Sequence, residues 1–476
     1  MGARQSVFDP WHSAWALGDV LATTHAPAAH WRQRQALRLA QLVEAAAGSS
    51  RWFRERLRGV VPGTDARALL AQLPVTHKRE LMARFDDWVT DPGLTLGALR
   101  AFTHDPARRG EAVQGRYQVW ESSGSSGEPA LFVQDARALA VADALEAARG
   151  PGSLIGAAMP WTAGPRIAYV AALDGHFAGV VAFERLRALN PWFGASARSF
   201  SFLQPIDTLA GQLNAFAPTV LASYPSMAWV LAQAQAEGRL GIAPQALWTG
   251  GETLTPGLRR AVGDIFRAPV RDSYGASECL TIASECRCGR LHLNADWVIL
   301  EPVDAHGRAV PESEVGTTTL LTNLANRVQP ILRYDLGDRV RFVPGACPCG
   351  STLPVIEVEG RCDDVLTLDD GRGHAVHLAP LALTTVLEDE AGVFDFRLCQ
   401  RGAQALELEL GPRVGTGAAT RERAAAALRR FLRAHGLDAV SLRLTPRGTP
   451  RLGRSGKQCR VSREPGSRVA RATRAV

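Results

Sequence analysis

Apolar residues recur every three or four positions across residues 30–61, at Trp31, Leu37, Leu39, Leu42, Val43 and Ala46, until Pro62 and Gly63 interrupt them. That spacing lines one face of a helix, and the Pro-Gly pair ends it. Short β-rich runs at 167–172, 219–222, 246–248 and 270–274 read as buried strands, each near a helical pattern. Such alternation predicts a largely parallel sheet and an α/β architecture. From 291 to 342 the pattern turns β-rich, with runs at 298–300, 317–321 and 339–343, so a smaller sheet or barrel is expected there. After Gly360 a second unit mixes strands at 405–410 and 441–444 with an Ala/Arg-rich helix at 420–435.

Composition narrows the class. At 476 residues, 46% hydrophobic and 21% charged, the chain is long enough to bury large cores and should form two or more domains. No apolar run approaches the ~20 residues of a membrane helix, and no cleavable leader with a basic start and apolar middle is recognisable. A cytoplasmic location without membrane association is expected. The start MGARQS matches an acylation pattern through Gly2 and Ser6, but that pattern is too short to carry weight. The net charge of +7 and pI near 9.2 raise nucleic-acid binding. The arginines are scattered, however, and concentrate only in the tail after Val461, so no nucleic-acid partner is expected.

Five short segments carry the candidate chemistry: SSGSSGEP at 122–129, TGGE at 249–252, YGASE at 274–278, YDLGD at 334–338, and GRCDD then SGK at 360–364 and 455–457. In the first, small residues let successive backbone N–H groups face an anion, and Ser123, Ser125 and Ser126 add hydroxyl donors. No Gly-Lys-Ser/Thr follows, so this is not a Walker loop. It lies between strand-like runs at 117–120 and 130–133, where a plain Ser/Gly hairpin is the alternative reading. A hard cation on triphosphate takes one or two protein oxygens, a task suited to Glu278. Surface turns are the alternative for these segments. Only two lysines, Lys78 and Lys457, stand among 54 basic residues, so a lysine inside an SGK turn points to a chemical need.

In this order the segments resemble the adenylate-forming acyl-CoA synthetase superfamily, nearest its phenylacetate–coenzyme A ligase branch, over roughly residues 30–462. The stretch LPVTHKRELMARFDDWV at 73–89 is similar to the one preceding the phosphate loop in that branch. The resemblance implies an N-terminal AMP-binding domain of doubly wound sheets at 1–361, with a smaller β-rich part at 291–361. A small, mobile α+β C-terminal lid domain at 362–476 would carry the catalytic lysine and the basic tail. It places ATP or AMP against Ser122, Ser123, Gly124, Ser125, Ser126 and Gly127, with Gly250, Gly251 and Glu252 along the adenine. Tyr274 would cover that ring beside Gly275, Ser277 would contact phosphate and Glu278 would hold magnesium. Asp338 and Arg361 would bind the ribose, Asp363 would be the hinge, and Lys457 would serve adenylation. Glu128 departs from the wider pattern, in which a basic residue is common.

Cys286-Arg-Cys288-Gly and Cys347-Pro-Cys349-Gly suit a closed, structural four-thiolate zinc site, with reduced free thiols as the alternative. Cys279, Cys362, Cys399 and Cys459 read as small hydrophobes. In the resembling family, segments like Gly175-His176-Phe177 lie near the acyl group and thioester route; His176 is thus a catalytic candidate, with a core histidine as the alternative. Tyr224, Trp229 and Trp248 are candidates for an apolar pocket. The expected activity is ATP-dependent activation of a carboxylic acid, aryl or arylacetic, as acyl-AMP, followed by transfer to coenzyme A. The alternatives are transfer to a carrier-protein thiol or an amine, and, prompted by Glu128, a non-catalytic zinc-bearing binding protein of the same fold. The sequence does not fix the acid or the oligomeric state, and a dimer is compatible with it.

Overall fold

The computed structural model describes residues 7–60, 65–122, 129–151, 165–311, 313–361, 365–378, 380–411, 417–446 and 460–464. After helices Pro10–Thr24 and Ala28–Ser49 and several shorter ones, β1 (Gln118–Glu121) and β2 (Leu131–Gln134) form an antiparallel hairpin buried throughout. Its open end is drawn together at one point: Ser122 N donates to Ala130 O at 2.8 Å and Ala130 N donates to Ser122 Oγ at 2.9 Å.

Five parallel strands follow: β3 (Ile167–Ala171), β4 (Ala197–Ser201), β5 (Val220–Ser223), β6 (Ala246–Gly250) and β7 (Val270–Ala276). The runs at 167–172, 219–222, 246–248 and 270–274 thus fold as strands, although within 270–274 only Val270 is buried. Helices Ala178–Leu189, Ile206–Phe216, Pro225–Ala236 and Pro256–Phe266 make the crossovers. The last shows how sequence sets an element. Thr255 caps it by accepting from Leu258 N, Pro256 opens the first turn, and Leu258, Val262 and Phe266 recur at four-residue spacing on the buried face.

The sheet then turns antiparallel. β8 (Cys279–Glu285) returns along β7, and β9 (Leu291–Leu293) along β8. Gly275 permits the first reversal, since a Cβ there would lie 2.0 Å from the Leu280 carbonyl oxygen. β10 (Val298–Val303), β11 (Thr318–Asn323) and β12 (Ile331–Asp335) form a separate three-stranded sheet, whereas β13 (Asp338–Val343) and β14 (Val355–Arg361) rejoin the main one. The β-rich stretch is therefore shared between two sheets. The main sheet has the order β13-β14-β9-β8-β7-β6-β5-β3-β4.

Beyond Arg361 lie β15 (Leu366–Asp369) with β16 (Ala375–Leu378), then β17 (Phe396–Gly402), β18 (Ala405–Leu410), β19 (Ser441–Pro446) and β20 (Val461–Arg463) in a four-stranded sheet ordered β19-β18-β17-β20. Helix Ala418–Ala434 covers it, and a hydrophobic cluster drawn wholly from residues 366–461 forms its core. No described helix is long and apolar enough to cross a membrane.

The order of the parallel strands fixes where a ligand can sit. The chain leaves β3 towards β4 on one side, then jumps back to β5 on the other. In open α/β sheets, the crevice outside the carboxyl ends of strands at such a reversal is the place for a ligand.

Candidate active site

The segments after β3, β5, β6 and β7 gather at those carboxyl ends. Gly250 of β6 pairs with Ser273 of β7, and a Cβ on Gly250 would lie 2.8 Å from Ser273 Oγ. Gly251 adopts φ +80°, and Glu252 turns away to accept from Ser226 N at 3.0 Å, at the start of helix Pro225–Ala236. Its negative charge is thus used on a helix N-terminus.

Tyr274 Oη donates to Asp338 Oδ2 at 2.7 Å, and Arg361 Nη1 donates to Asp338 Oδ1 at 3.0 Å. Three sequence-expected residues therefore meet on one carboxylate. Burial and that carboxylate hold the Tyr274 phenol well above the ordinary tyrosine range. Glu278, four residues further on, has its carboxyl raised by burial, against a hydrogen bond from Tyr334, the residue that opens YDLGD. The Ser277 carbonyl accepts from Trp120 Nε1 at 2.7 Å. This bond ties the end of β1, and so the start of the Ser/Gly loop, to the YGASE turn. Ser122 is the described end of that loop; Ser123, Gly124, Ser125, Ser126, Gly127 and Glu128 lie outside the described residues, as do Asp363 and Lys457.

Lys78 is the cation that motif reading passed over. Thr76 pairs with Tyr334 in an isolated parallel bridge, accepting from Asp335 N and donating to the Arg333 carbonyl. Arg333 itself takes φ +43°, unusual for a non-glycine residue, and donates to Leu73 O at 2.8 Å. The segment 73–78 is in this way stitched to β12, which brings Lys78 within electrostatic reach of Glu278 and Arg361. Burial lowers the Lys78 ammonium, Glu278 raises it, and Arg361 lowers it further. The sequence signal was present in the scarcity of lysine, but nothing local linked residue 78 to residue 278.

Below this floor, Asp272 is half-buried between Thr249 and Glu285. Burial pushes its carboxyl up to about 7, although Thr249 Oγ1 donates to it at 2.7 Å. His176 is fully enclosed: Nε2 lies 2.8 Å from Asp105 O, and the Phe102 ring stands edge-on at 5.5 Å. Burial lowers its imidazole below the ordinary range. The structure thus places this candidate in the interior. Trp229 packs against Phe394 with ring centroids 4.5 Å apart and planes tilted by 43°, and Tyr224 is raised by burial.

The cysteine set requires one correction. Cys286, Cys347 and Cys349 converge with His292, and all four ligand atoms lie within 4.8 Å of one another. Cys288 is not in that group; it is exposed, although its thiol reaches Cys347 and its backbone N–H donates to Cys286 Sγ at 3.4 Å. The reason is register: β9 returns along β8 and brings His292 inward opposite Ser284. His292 Nδ1 lies 2.9 Å from the Leu353 carbonyl, which orients Nε2 towards Cys349 Sγ, 3.3 Å away. Cys286 Sγ is 3.8 Å from Cys347 Sγ. For Cys347, burial opposes ionisation, but the Cys349 N–H, His292 and the neighbouring thiols outweigh it and hold the thiol at about 6. Three sulfurs and an imidazole nitrogen with a supporting outer hydrogen bond fit tetrahedral zinc.

These features sit in a fold similar to that of solved acyl-CoA ligases. 2-Hydroxyisobutyryl-CoA ligase, solved in the postadenylation state with 2-HIB-AMP, superposes with a TM-score of 0.70 at 21% identity, over 93% of this chain and 91% of that one. The same ligase with 2-HIB-AMP and CoA in its thioesterification state gives 0.57 at 22% identity, over 93% and 92%. The anthranilate CoA ligase AuaEII with anthranoyl-AMP gives 0.54 at 14% identity, over 73% and 66%. No family model matches the chain. Protein CapK of Staphylococcus aureus is 30% identical over 133 residues, which span 28% of this chain and 28% of that protein.

Proposed function

We propose that this chain is an AMP-forming acid–thiol ligase of the phenylacetate–coenzyme A ligase type, acting on an aryl or arylacetic acid. The observation that carries the reading is the junction of Tyr274, Asp338 and Arg361 beside Glu278 and Lys78 at the carboxyl ends of the parallel strands. Asp338 and Arg361 supply a charged pair at the height of a ribose. Glu278 offers a magnesium ligand, and Lys78 a cation towards the same phosphates. The substrate carboxylate attacks the α-phosphorus of ATP, forming a P–O bond and expelling pyrophosphate. The thiol of coenzyme A then attacks the acyl carbon, AMP leaves, and the thiol proton passes to solvent. Both steps rest on positioning and on placing positive charge where negative charge develops. Magnesium, if held by Glu278, neutralises phosphate charge. The Cys286, His292, Cys347 and Cys349 cluster holds a structural zinc, because four protein ligands leave no open position. The acceptor is a small thiol, and carrier-protein or amine acceptors are the competing outcomes.

Acid-dependent pyrophosphate exchange across a panel of carboxylic acids tests the reading, with product masses measured in the presence of coenzyme A, a carrier protein or an amine. Exchange with at least one acid and an acyl-CoA mass are expected. Absence of exchange with every acid would remove the ligase reading.

A further inference from the structure

Residues 386–390 of the C-terminal unit form a π-helical turn, a wound-out form found mostly as single turns and often at functional positions. Its centre is Glu388, 2% exposed. One carboxylate oxygen accepts from Arg460 Nη1, and the other accepts from Thr255 Oγ1. Arg460 belongs to the same unit, where it leads into β20 three residues after Lys457, and its guanidinium lies over the Phe396 ring at 5.3 Å. Thr255 belongs to the large unit. It stands three residues after Glu252, is 1% exposed, and caps helix Pro256–Phe266 with the same hydroxyl oxygen. Around this contact a Cβ on Gly257 would lie 2.4 Å from Asp389 Oδ1, Arg260 Nη2 donates to Asp389 Oδ1 at 3.1 Å, and Trp229 packs against Phe394.

We propose that Glu388 is a positioning residue that latches the C-terminal unit to the cap of helix Pro256–Phe266 through Thr255, and that this docking favours the arrangement used for adenylation. The proposal rests on the ligase reading for its second half only. Its physical logic lies in how the partners are divided. A buried carboxylate must keep a counter-charge, and Arg460 travels with it on the same unit. What Glu388 itself takes across the boundary is a neutral hydroxyl, and the Arg260–Asp389 pair that crosses beside it is solvent-exposed, so release strands no buried ion. Gly257 allows the close approach, since any side chain there would meet Asp389. The molecule shown here superposes better on the postadenylation form of 2-hydroxyisobutyryl-CoA ligase than on its thioesterification form.

The test uses the full chain with Thr255→Val, Thr255→Ser and Gly257→Ala. Alanine favours a helix more than glycine does, so the last variant obstructs docking without weakening the helix. Hydrogen–deuterium exchange is read on peptides 255–266 and 386–394, with β17–β18 as the internal reference. Pyrophosphate exchange with Mg–ATP and an acid that supports it in the wild type reads the first half-reaction, and conversion of supplied acyl-adenylate with coenzyme A reads the second. In Thr255→Val and Gly257→Ala both peptides should exchange about ten-fold faster or more, with adenylation slowed by a similar factor and thioester formation within about two-fold of wild type; a hydrogen bond to a charged group has this order of effect. Thr255→Ser should restore wild-type behaviour. Wild-type exchange at both peptides in the first two variants, or equal loss of both half-reactions, would overturn the proposal. If no acid supports exchange in the wild type, the ligase reading fails while the peptides still decide the latch.

Discussion

Single residues at the site are held in charge states that bulk water would not give them. Asp272 is the plainest case, because burial pushes its carboxyl up to about 7 while Thr249 and Arg259 pull the other way. A carboxyl with a raised folded-state value keeps its proton after the unfolded chain has lost it. Stability from this group is therefore present at low pH, falls between about pH 4 and 7, and is constant above. Asp272→Asn removes the dependence and keeps an acceptor for Thr249. Relative to wild type, the variant should gain roughly 1–3 kcal/mol between pH 5 and pH 8, measured as the shift in urea midpoint at each pH. An offset that is the same at both would contradict the charge assignment. Lys78 shows the limit of reading residues singly. Its rarity was visible in the sequence, whereas its place beside Glu278 depends on the Thr76–Tyr334 bridge across more than half the chain.

At the scale of elements, local pattern was a good guide wherever burial enforced it. The runs at 167–172, 219–222 and 246–248 fold as parallel strands because crossover helices cover the sheet, which favours apolar runs, whereas the run at 270–274 carries Arg271, Asp272 and Ser273 and buries only Val270. The Ala/Arg segment at 420–435 folds as helix Ala418–Ala434 because Ala424, Ala427, Leu428 and Leu432 share one buried face. What local pattern could not carry was strand exchange between sheets. β13 and β14 rejoin the main sheet after β10 to β12 leave it, and nothing within those strands states which neighbour they take. The clustered metal-binding side chains differ from the expected four at one position for the same reason. Cys-x-Cys spacing suggested Cys288, while the β8–β9 register delivers His292. Protein purified without chelators should hold about one zinc per chain, as four-ligand structural sites do. His292→Ala and Cys349→Ser should lose the metal and lower the thermal midpoint; Cys288→Ser should keep both. Loss of zinc in Cys288→Ser at wild-type His292 would restore the four-cysteine reading.

For the whole molecule, the ligase reading raises the question of how one set of side chains would serve two reactions in turn. The described contacts of Tyr274, Asp338, Glu278 and Lys78 all come from the large unit, whereas Lys457, three residues before the Glu388 partner Arg460, belongs to the small one. The family resemblance assigns Lys457 to adenylation only, since thioester formation there follows rotation of the C-terminal domain. We therefore expect Lys457→Ala to slow acyl-adenylate formation by ~10²–10³, the order seen when one preorganised donor to developing charge is removed. The same variant should still convert supplied acyl-adenylate to thioester at close to the wild-type rate. Lys457→Arg should rescue poorly, because a planar guanidinium cannot replace a compact ammonium at one point of charge. Pyrophosphate exchange and single-turnover thioester formation, run side by side on the three proteins, decide it. A Lys457→Ala protein that adenylates at the wild-type rate would detach the C-terminal unit from the first reaction. It would leave Lys78, already seated beside Glu278 and Arg361, as the lysine that serves the phosphates.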